Sequence, residues 1–225
     1  MAISKMYLMH GAGLGPWIWD EVIPRLNVPA EPVHRTVSVT LGEAIGSLVQ
    51  TMEDHAVLVG HSFAAEIAMG VAATAPARVS SVILIGGVVP ESGKSFLSMM
   101  PLPARIVMRF MLKRARGGIN LPHGLVRKEY GNDLDAEKKA RVLDRLTPEA
   151  TRLYLDPLRW SSLPPSVPRH YVKLLRDHSV SPRRQDAIIK RIGANEVESL
   201  DTGHLPMLSK PAELAAVLNR LAKQT

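Results

Sequence analysis

Short apolar runs that end in glycine or polar loops, each followed by a stretch with helical spacing, set the rhythm of the N-terminal part of this chain. Lys5–Met9 predicts a buried strand, and His10–Pro16 behind it is too rich in glycine to hold regular structure. Trp17–Leu26 reads as a first helix, with Trp17, Val22 and Leu26 to pack and Pro24 marking an irregularity. Val33–Val39 alternates weakly and predicts a second strand, while Leu41–Met52 places Ile45, Leu48, Val49 and Met52 on one helical stripe. Ala56–Val59 predicts a third strand, Ala64–Ala75 a helix, and Val82–Ile85 a fourth strand ending in Gly86-Gly87. Strands that are apolar throughout, separated by helices, imply a mostly parallel sheet covered by helices on both faces, an α/β fold.

After Val89-Pro90 the rhythm breaks, and helical stretches with many prolines replace it. Residues 1–94 and 169–225 are therefore expected to form the core and residues 95–168 an inserted helical cap. Within the cap, Leu102–Arg116 predicts a helix with Ile106, Phe110 and Met111 near one face, Thr147-Pro148-Glu149 predicts a helix start, and Leu153–Trp160 a last helix. The sheet pattern resumes in a strand over 170–175, a helix over 183–192, a strand over 196–200 and a closing helix over 211–223.

Composition narrows the field. The chain has 225 residues, 46% of them apolar, which suits one α/β domain with a sizeable core. No apolar run reaches the roughly 18 residues of a membrane span, so stable membrane insertion is not expected. Met1–Lys5 leads directly into a strand rather than into a signal peptide's apolar stretch, so a cytoplasmic location is expected. Cysteine does not occur, which removes thiolate chemistry and cysteine metal sites. The net charge of +7 is local: from Pro101 to Tyr130, Arg105, Arg109, Lys113, Arg114, Arg116, Arg127 and Lys128 face only Glu129. A solvated lid helix explains that cluster, with contact to anionic lipid or an acyl pocket as the sharper readings. Nucleic acid is not expected as a partner, because neither a binding motif nor stacking aromatics accompany the charge. A homodimer is compatible with the sequence.

The chemistry centres on Gly60-His61-Ser62-Phe63-Ala64, a Gly-X-Ser-X-small turn between the third strand and its helix. A serine hydroxyl is a weak nucleophile near neutral pH, so an enzyme that uses one lifts it out of the fold beside a base and backbone donors. A tight strand-to-helix turn does this, and small residues two before and two after the serine let the chain cross itself. Gly60 and Ala64 fill those places. A serine that only caps a helix would read alike, so the other loops at the carboxyl ends of the strands decide. His10–Pro16 has neither Gly-X-Gly-X-X-Gly spacing nor a P-loop lysine, which favours an oxyanion loop over a phosphate cradle. Asp177 follows one late strand, and His204 follows Gly203 after the last. Ser62 is thus the expected nucleophile, His204 the general base and acid, and Asp177 the carboxylate that holds the imidazole. Asp201 is the reserve for Asp177, and His61 is expected to be structural.

His10-Gly11-Ala12, Gly60–Ala64, Arg176–Pro182 and Gly203-His204 resemble the α/β-hydrolase superfamily, and the likeness spans the chain. Trp17-Ile18-Trp19, the Asp-X-X-X-X-Pro loop and the Gly-His-X-Pro-Met-Leu ending are similar to the plant methylesterase and hydroxynitrile lyase group. That resemblance implies backbone N–H groups of Ala12 and Phe63 as oxyanion donors, and Gly11, Trp17 and Leu205 beside the substrate. The lyases of that group carry Thr or Asn where Gly11 stands, and some carry Lys where Leu205 stands. The expectation is therefore a serine hydrolase of small or medium carboxylic esters that needs no metal and no organic cofactor. A carbon–carbon lyase with the same triad, or a ligand-binding receptor of the same fold, are the alternatives.

Overall fold

The computed structural model describes residues 3–35, 39–115 and 117–223. At its centre is a six-stranded sheet in the order β2-β1-β3-β4-β5-β6. Its strands are β1 Met6–Met9, β2 Ala30–Val33, β3 Ala56–His61, β4 Val79–Ile85, β5 Arg169–Leu174 and β6 Glu196–Leu200, and every neighbouring pair is parallel. Helices α1 Leu41–Thr51 and α2 Ala65–Thr74 precede β4. Between β4 and β5 come α3 Leu102–Arg114, α4 His123–Leu125, α5 Ala136–Asp144 and α6 Thr151–Leu155, and after β5 come α7 Pro182–Ile192, α8 Pro206–Ser209 and α9 Pro211–Ala222.

β1 and β3 are buried along their whole length, which is why they read as unbroken apolar runs. Successive side chains alternate between the two faces of the sheet. Tyr7, Met9, Leu58 and Leu84 join one core with residues of α1, α2 and α7, whereas Met6, Leu8, Val57, Val59 and Ile83 join the other with residues of α9. The chain leaves β1 outward to β2 and returns across it to β3, so the strand order reverses between β1 and β3. Ligand sites of open sheets lie at the carboxyl ends of the strands beside such a reversal. The register pairs Met9 with Gly60, which sets the loop beginning at His10 against the turn beginning at His61.

Some elements depart from their sequence pattern. The second strand is Ala30–Val33 rather than Val33–Val39; it pairs with all of β1, and residues 36–38 of the expected strand lie outside the described residues. Pro32 is tolerated there because β2 is an edge strand. Trp17–Leu26 forms two short 3-10 turns, Pro16–Trp19 and Ile23–Arg25, since Pro24 cannot donate within a longer helix. The last cap helix stops at Leu155, where Asp156 precedes Pro157 and is held in extended backbone. Thr147-Pro148-Glu149 starts no helix; Glu149 pairs in a two-residue bridge with Ile119, and its side chain enters the core. Between β4 and β5 the remaining regular elements among the described residues are α3–α6, a 3-10 turn at Phe96–Met99, a π-turn at Val126–Tyr130 and an isolated bridge between Lys94 and Leu158.

Candidate active site

Ser62 directly follows β3 with φ +53°, a left-handed conformation that a side-chain-bearing residue rarely adopts. A 3-10 turn over Ser62–Ala64 then leads into α2. Gly60 makes this possible, because a Cβ there would lie 2.9 Å from both the Ala64 carbonyl oxygen and the Ala65 Cα. Ala64 is fully buried and its methyl is accommodated. Ser62 Oγ lies 3.0 Å from His204 Nε2, and His204 Nδ1 lies 2.8 Å from Asp177 Oδ2. The other carboxylate oxygen of Asp177 accepts the N–H groups of Ser179 and Val180 at 2.8 and 2.9 Å. All three side chains are buried. Asp177 Oδ2 can only accept, so His204 carries its proton on Nδ1 and presents a free Nε2 lone pair to the serine hydroxyl. This is an arrangement that can take the proton from Ser62 as the oxygen attacks an electrophile.

The neighbours of Ser62, His204 and Asp177 occupy separate places. Asp201 pairs with exposed Arg176 at 2.9 Å and does not reach His204. His61 donates Nε2–H to the backbone carbonyl of His204 at 2.8 Å, its ring 4.8 Å from the His204 ring. Burial, and then the nearby His204, hold its pKa well below the usual histidine range, so it stays neutral. Leu205 is fully buried and packs in the core. Trp17 lies beneath the guanidinium groups of Arg141 and Arg145 at the cap. Phe63 faces the cap too, its ring 5.3 Å from that of Phe96 and 4.7 Å from that of Tyr154, forming an aromatic wall next to the serine.

The loop after β1 lies directly against the elbow: a Cβ on Gly11 would come within 3.1 Å of Ser62 Cβ and 2.9 Å of His61 Nδ1. Its carbonyls point backward. Arg35 donates Nη1–H to the His10 carbonyl at 2.6 Å and Nη2–H to the Gly11 carbonyl at 3.3 Å, and His10 Nδ1–H reaches the same Gly11 carbonyl at 2.9 Å. Burial, and then Arg35, push the His10 pKa down to about 3, so this ring is neutral as well. In a trans peptide the N–H points opposite to the preceding C=O. With the Gly11 carbonyl held on one side, the Ala12 N–H is directed to the other, and no protein acceptor takes it among the described residues. The Phe63 N–H sits in the first turn of its short helix, ahead of the turn's own hydrogen bonds. Two amide donors are thus left for a ligand oxygen.

Sequence reasoning did not find the residues that hold this loop. Glu149, from the cap, accepts Arg35 Nη2–H at 2.8 Å and the Gly13 N–H at 3.3 Å; the two side chains are only 4% and 5% exposed. Thr147 donates its hydroxyl to the Leu14 carbonyl, and Tyr130 donates its own to that of Ala12. Asp133 accepts the Gly203 N–H at 2.6 Å, next to His204, and Asn132 donates to the Arg176 carbonyl, next to Asp177. These contacts join residues far apart in the chain, so no local pattern announces them. Only the position of Arg35 just past β2, at the carboxyl edge of the sheet, was a signal. Among the described residues, no group of three or more His, Asp or Glu is gathered to hold a metal ion. No helix among them is long and apolar enough to cross a membrane.

Known proteins share this plan. The chain is similar to a carbendazim hydrolyzing esterase of Nocardioides sp. (strain SG-4G), 25% identical over 97% of this chain and 100% of that one. It is similar to methylesterase 7 of Arabidopsis thaliana, 24% identical over 97% of this chain and 96% of the relative. Its fold matches an extracellular alpha/beta-hydrolase of a Paenibacillus species with a TM-score of 0.83 at 18% identity, covering 96% and 98% of the two chains. Residues 6–217 match the profile of the alpha/beta hydrolase family, and the chain belongs to that family, with a likeness to the plant methylesterases within it.

Proposed function

We propose that this protein is a carboxylic ester hydrolase that works through an acyl-enzyme on Ser62. The observation that carries this reading is the unbroken line from Ser62 Oγ through His204 to Asp177, with both hydrogen bonds at or below 3.0 Å. His204 takes the hydroxyl proton as Ser62 attacks the ester carbonyl, and Asp177 stabilises the imidazolium that forms. The Ala12 and Phe63 N–H groups receive the developing oxyanion. His204 then gives its proton to the departing alcohol and activates the water that releases the acid. The names of the relatives, an esterase and a methylesterase, support ester chemistry.

The aromatic wall of Phe63, Phe96 and Tyr154 suits a small or medium apolar acyl or alcohol group. Cyanohydrin cleavage is disfavoured because Gly11 offers no hydroxyl or amide to engage a cyanohydrin and Leu205 no lysine to hold the leaving cyanide. Trp17 and Leu205 are proposed to shape the site from behind its first contacts. The test is hydrolysis of a graded panel of methyl, ethyl and p-nitrophenyl esters by the wild type and by Ser62→Ala. The variant is expected to lose on the order of 10⁴-fold or more in kcat with an unchanged fold. Undiminished turnover by Ser62→Ala, or cyanohydrin cleavage outrunning every ester, would reject the proposal.

A further inference from the structure

Helix α3 is turned inside out for a water-soluble surface. Leu102, Ile106, Val107, Phe110 and Met111 are each 56–62% exposed, and they make up most of the large apolar side chains that the described residues expose. Arg105, by contrast, is half-buried and donates to the Met100 carbonyl. Spacings of four and five along a helix keep Leu102, Ile106, Val107, Phe110 and Met111 on one broad side. A patch of this kind on a monomer marks an interaction surface.

Charge decides what covers it. Arg109, Lys113 and Arg114 flank the apolar side chains on the same exposed helix, and none of the three forms an ion pair among the described residues. The Arg114 guanidinium lies over the Phe110 ring at 3.8 Å, which brings cation and apolar surface to one level. From Ser92 to Lys128 the sequence contains no acidic residue, while Lys94, Arg105, Arg109, Lys113, Arg114, Arg116, Arg127 and Lys128 are all cationic. A two-fold contact between copies through α3 would bring these cations against themselves with no carboxylate in reach on the helix. An anionic bilayer answers both features, with headgroups around the cations and acyl chains around the apolar side chains.

We propose that α3 docks the cap on an anionic lipid surface, as a peripheral contact in the plane of the headgroups. The helix packs against the Phe96–Met99 turn and α6, the two elements whose Phe96 and Tyr154 stand against Phe63. Docking would therefore place the lipid one helix away from the aromatic wall beside Ser62. The inference does not depend on the ester-hydrolase reading, since binding is measured without turnover.

The experiment is co-sedimentation of the full-length protein with vesicles of phosphatidylcholine alone and of phosphatidylcholine mixed with phosphatidylglycerol, at low and high salt. Binding is expected only with phosphatidylglycerol and is expected to weaken as salt shortens the screening length. Arg109→Gln with Lys113→Gln should weaken it about thirtyfold. Ile106→Ser with Phe110→Ser should weaken it on the order of a hundredfold. Circular-dichroism melting should leave both variants as stable as the wild type. No association with the anionic vesicles, or association that both variants keep, overturns the proposal. So does a dimer in solution that Ile106→Ser with Phe110→Ser dissolves, which would assign the face to a second copy. Binding of polyglutamate through the same side chains, without vesicle binding, overturns it in favour of an acidic protein partner.

Discussion

From Tyr130 to Ala150 the cap sends polar side chains down into the loops of the core, whereas from Leu102 to Arg114 it turns apolar side chains out to solvent. The first region contributes Glu149, Thr147, Asp133 and Asn132, each bonded to a backbone group in a loop that carries Ala12, Asp177 or His204. The second contributes little to the core beyond Leu112. Buried charges are costly unless paired, so the Arg35–Glu149 pair persists only where its geometry is well satisfied. The contrast separates a part of the cap that holds the site in shape from a part whose sequence answers to something outside the molecule.

That contrast can be broken most forcefully at Glu149. Glu149→Ala strands Arg35 in the interior and should cost about 3–5 kcal/mol in denaturant unfolding. It should also lower kcat by at least tenfold with a smaller change in KM, because the loop that carries Ala12, the proposed oxyanion donor, loses its anchor. Replacing both partners, Arg35→Met with Glu149→Leu, should restore most of the stability but not kcat. Recovery of both together would mean that the pair supports folding alone. Asp133→Ala is the next largest case: the Gly203 N–H beside His204 loses its acceptor, for a loss of about 1–3 kcal/mol and a reduced kcat with the fold intact.

Glu66 on α2 supplies the opposite control. It is as buried as Glu149, yet its carboxyl has no hydrogen-bond partner among the described residues. Burial pushes its pKa well above the usual carboxylate range, so it is uncharged in the folded protein. The unfolded chain ionises it at ordinary carboxylate pH, so its burden on stability grows as pH rises past that range. Glu66→Met should raise stability by on the order of 1 kcal/mol, read as a higher melting temperature, and more at mildly alkaline than at acidic pH. At the small end, Val107→Ser on α3 should change stability by less than about 0.5 kcal/mol. A large loss there would show that α3 is part of the core.

Much of the core was legible because its signals are local. β1, the Ala56–Val59 part of β3 and the Val82–Ile85 part of β4 are apolar on both faces, and the turn at Gly60–Ala64 carries its own steric signature. Asp177 and His204 each lie in the loop that leaves a strand, β5 and β6, at the end where ligands gather, so chain order alone pointed to the same end of the sheet as Ser62. The cap was legible only as an interruption of the strand rhythm. Its decisive residues act across long stretches of sequence, and a glutamate such as Glu149 looks like any solvated carboxylate until the fold buries it against Arg35. The missed helix boundaries have nearer causes: Pro24 and Pro157 stop helices that side-chain spacing alone would continue, and the pairing with β1 places β2 earlier than its weak alternation suggests.

The central claim is that Ser62, served by His204, becomes covalently acylated. Rapid acid quench of the wild type during turnover of a p-nitrophenyl ester, followed by proteolysis and mass spectrometry, tests it directly. The acyl mass is expected on the peptide containing Ser62, to be missing from Ser62→Ala, and to form far more slowly in His204→Ala. Steady hydrolysis without an acylated Ser62, or the same acyl group carried by another residue in Ser62→Ala at full rate, would contradict it.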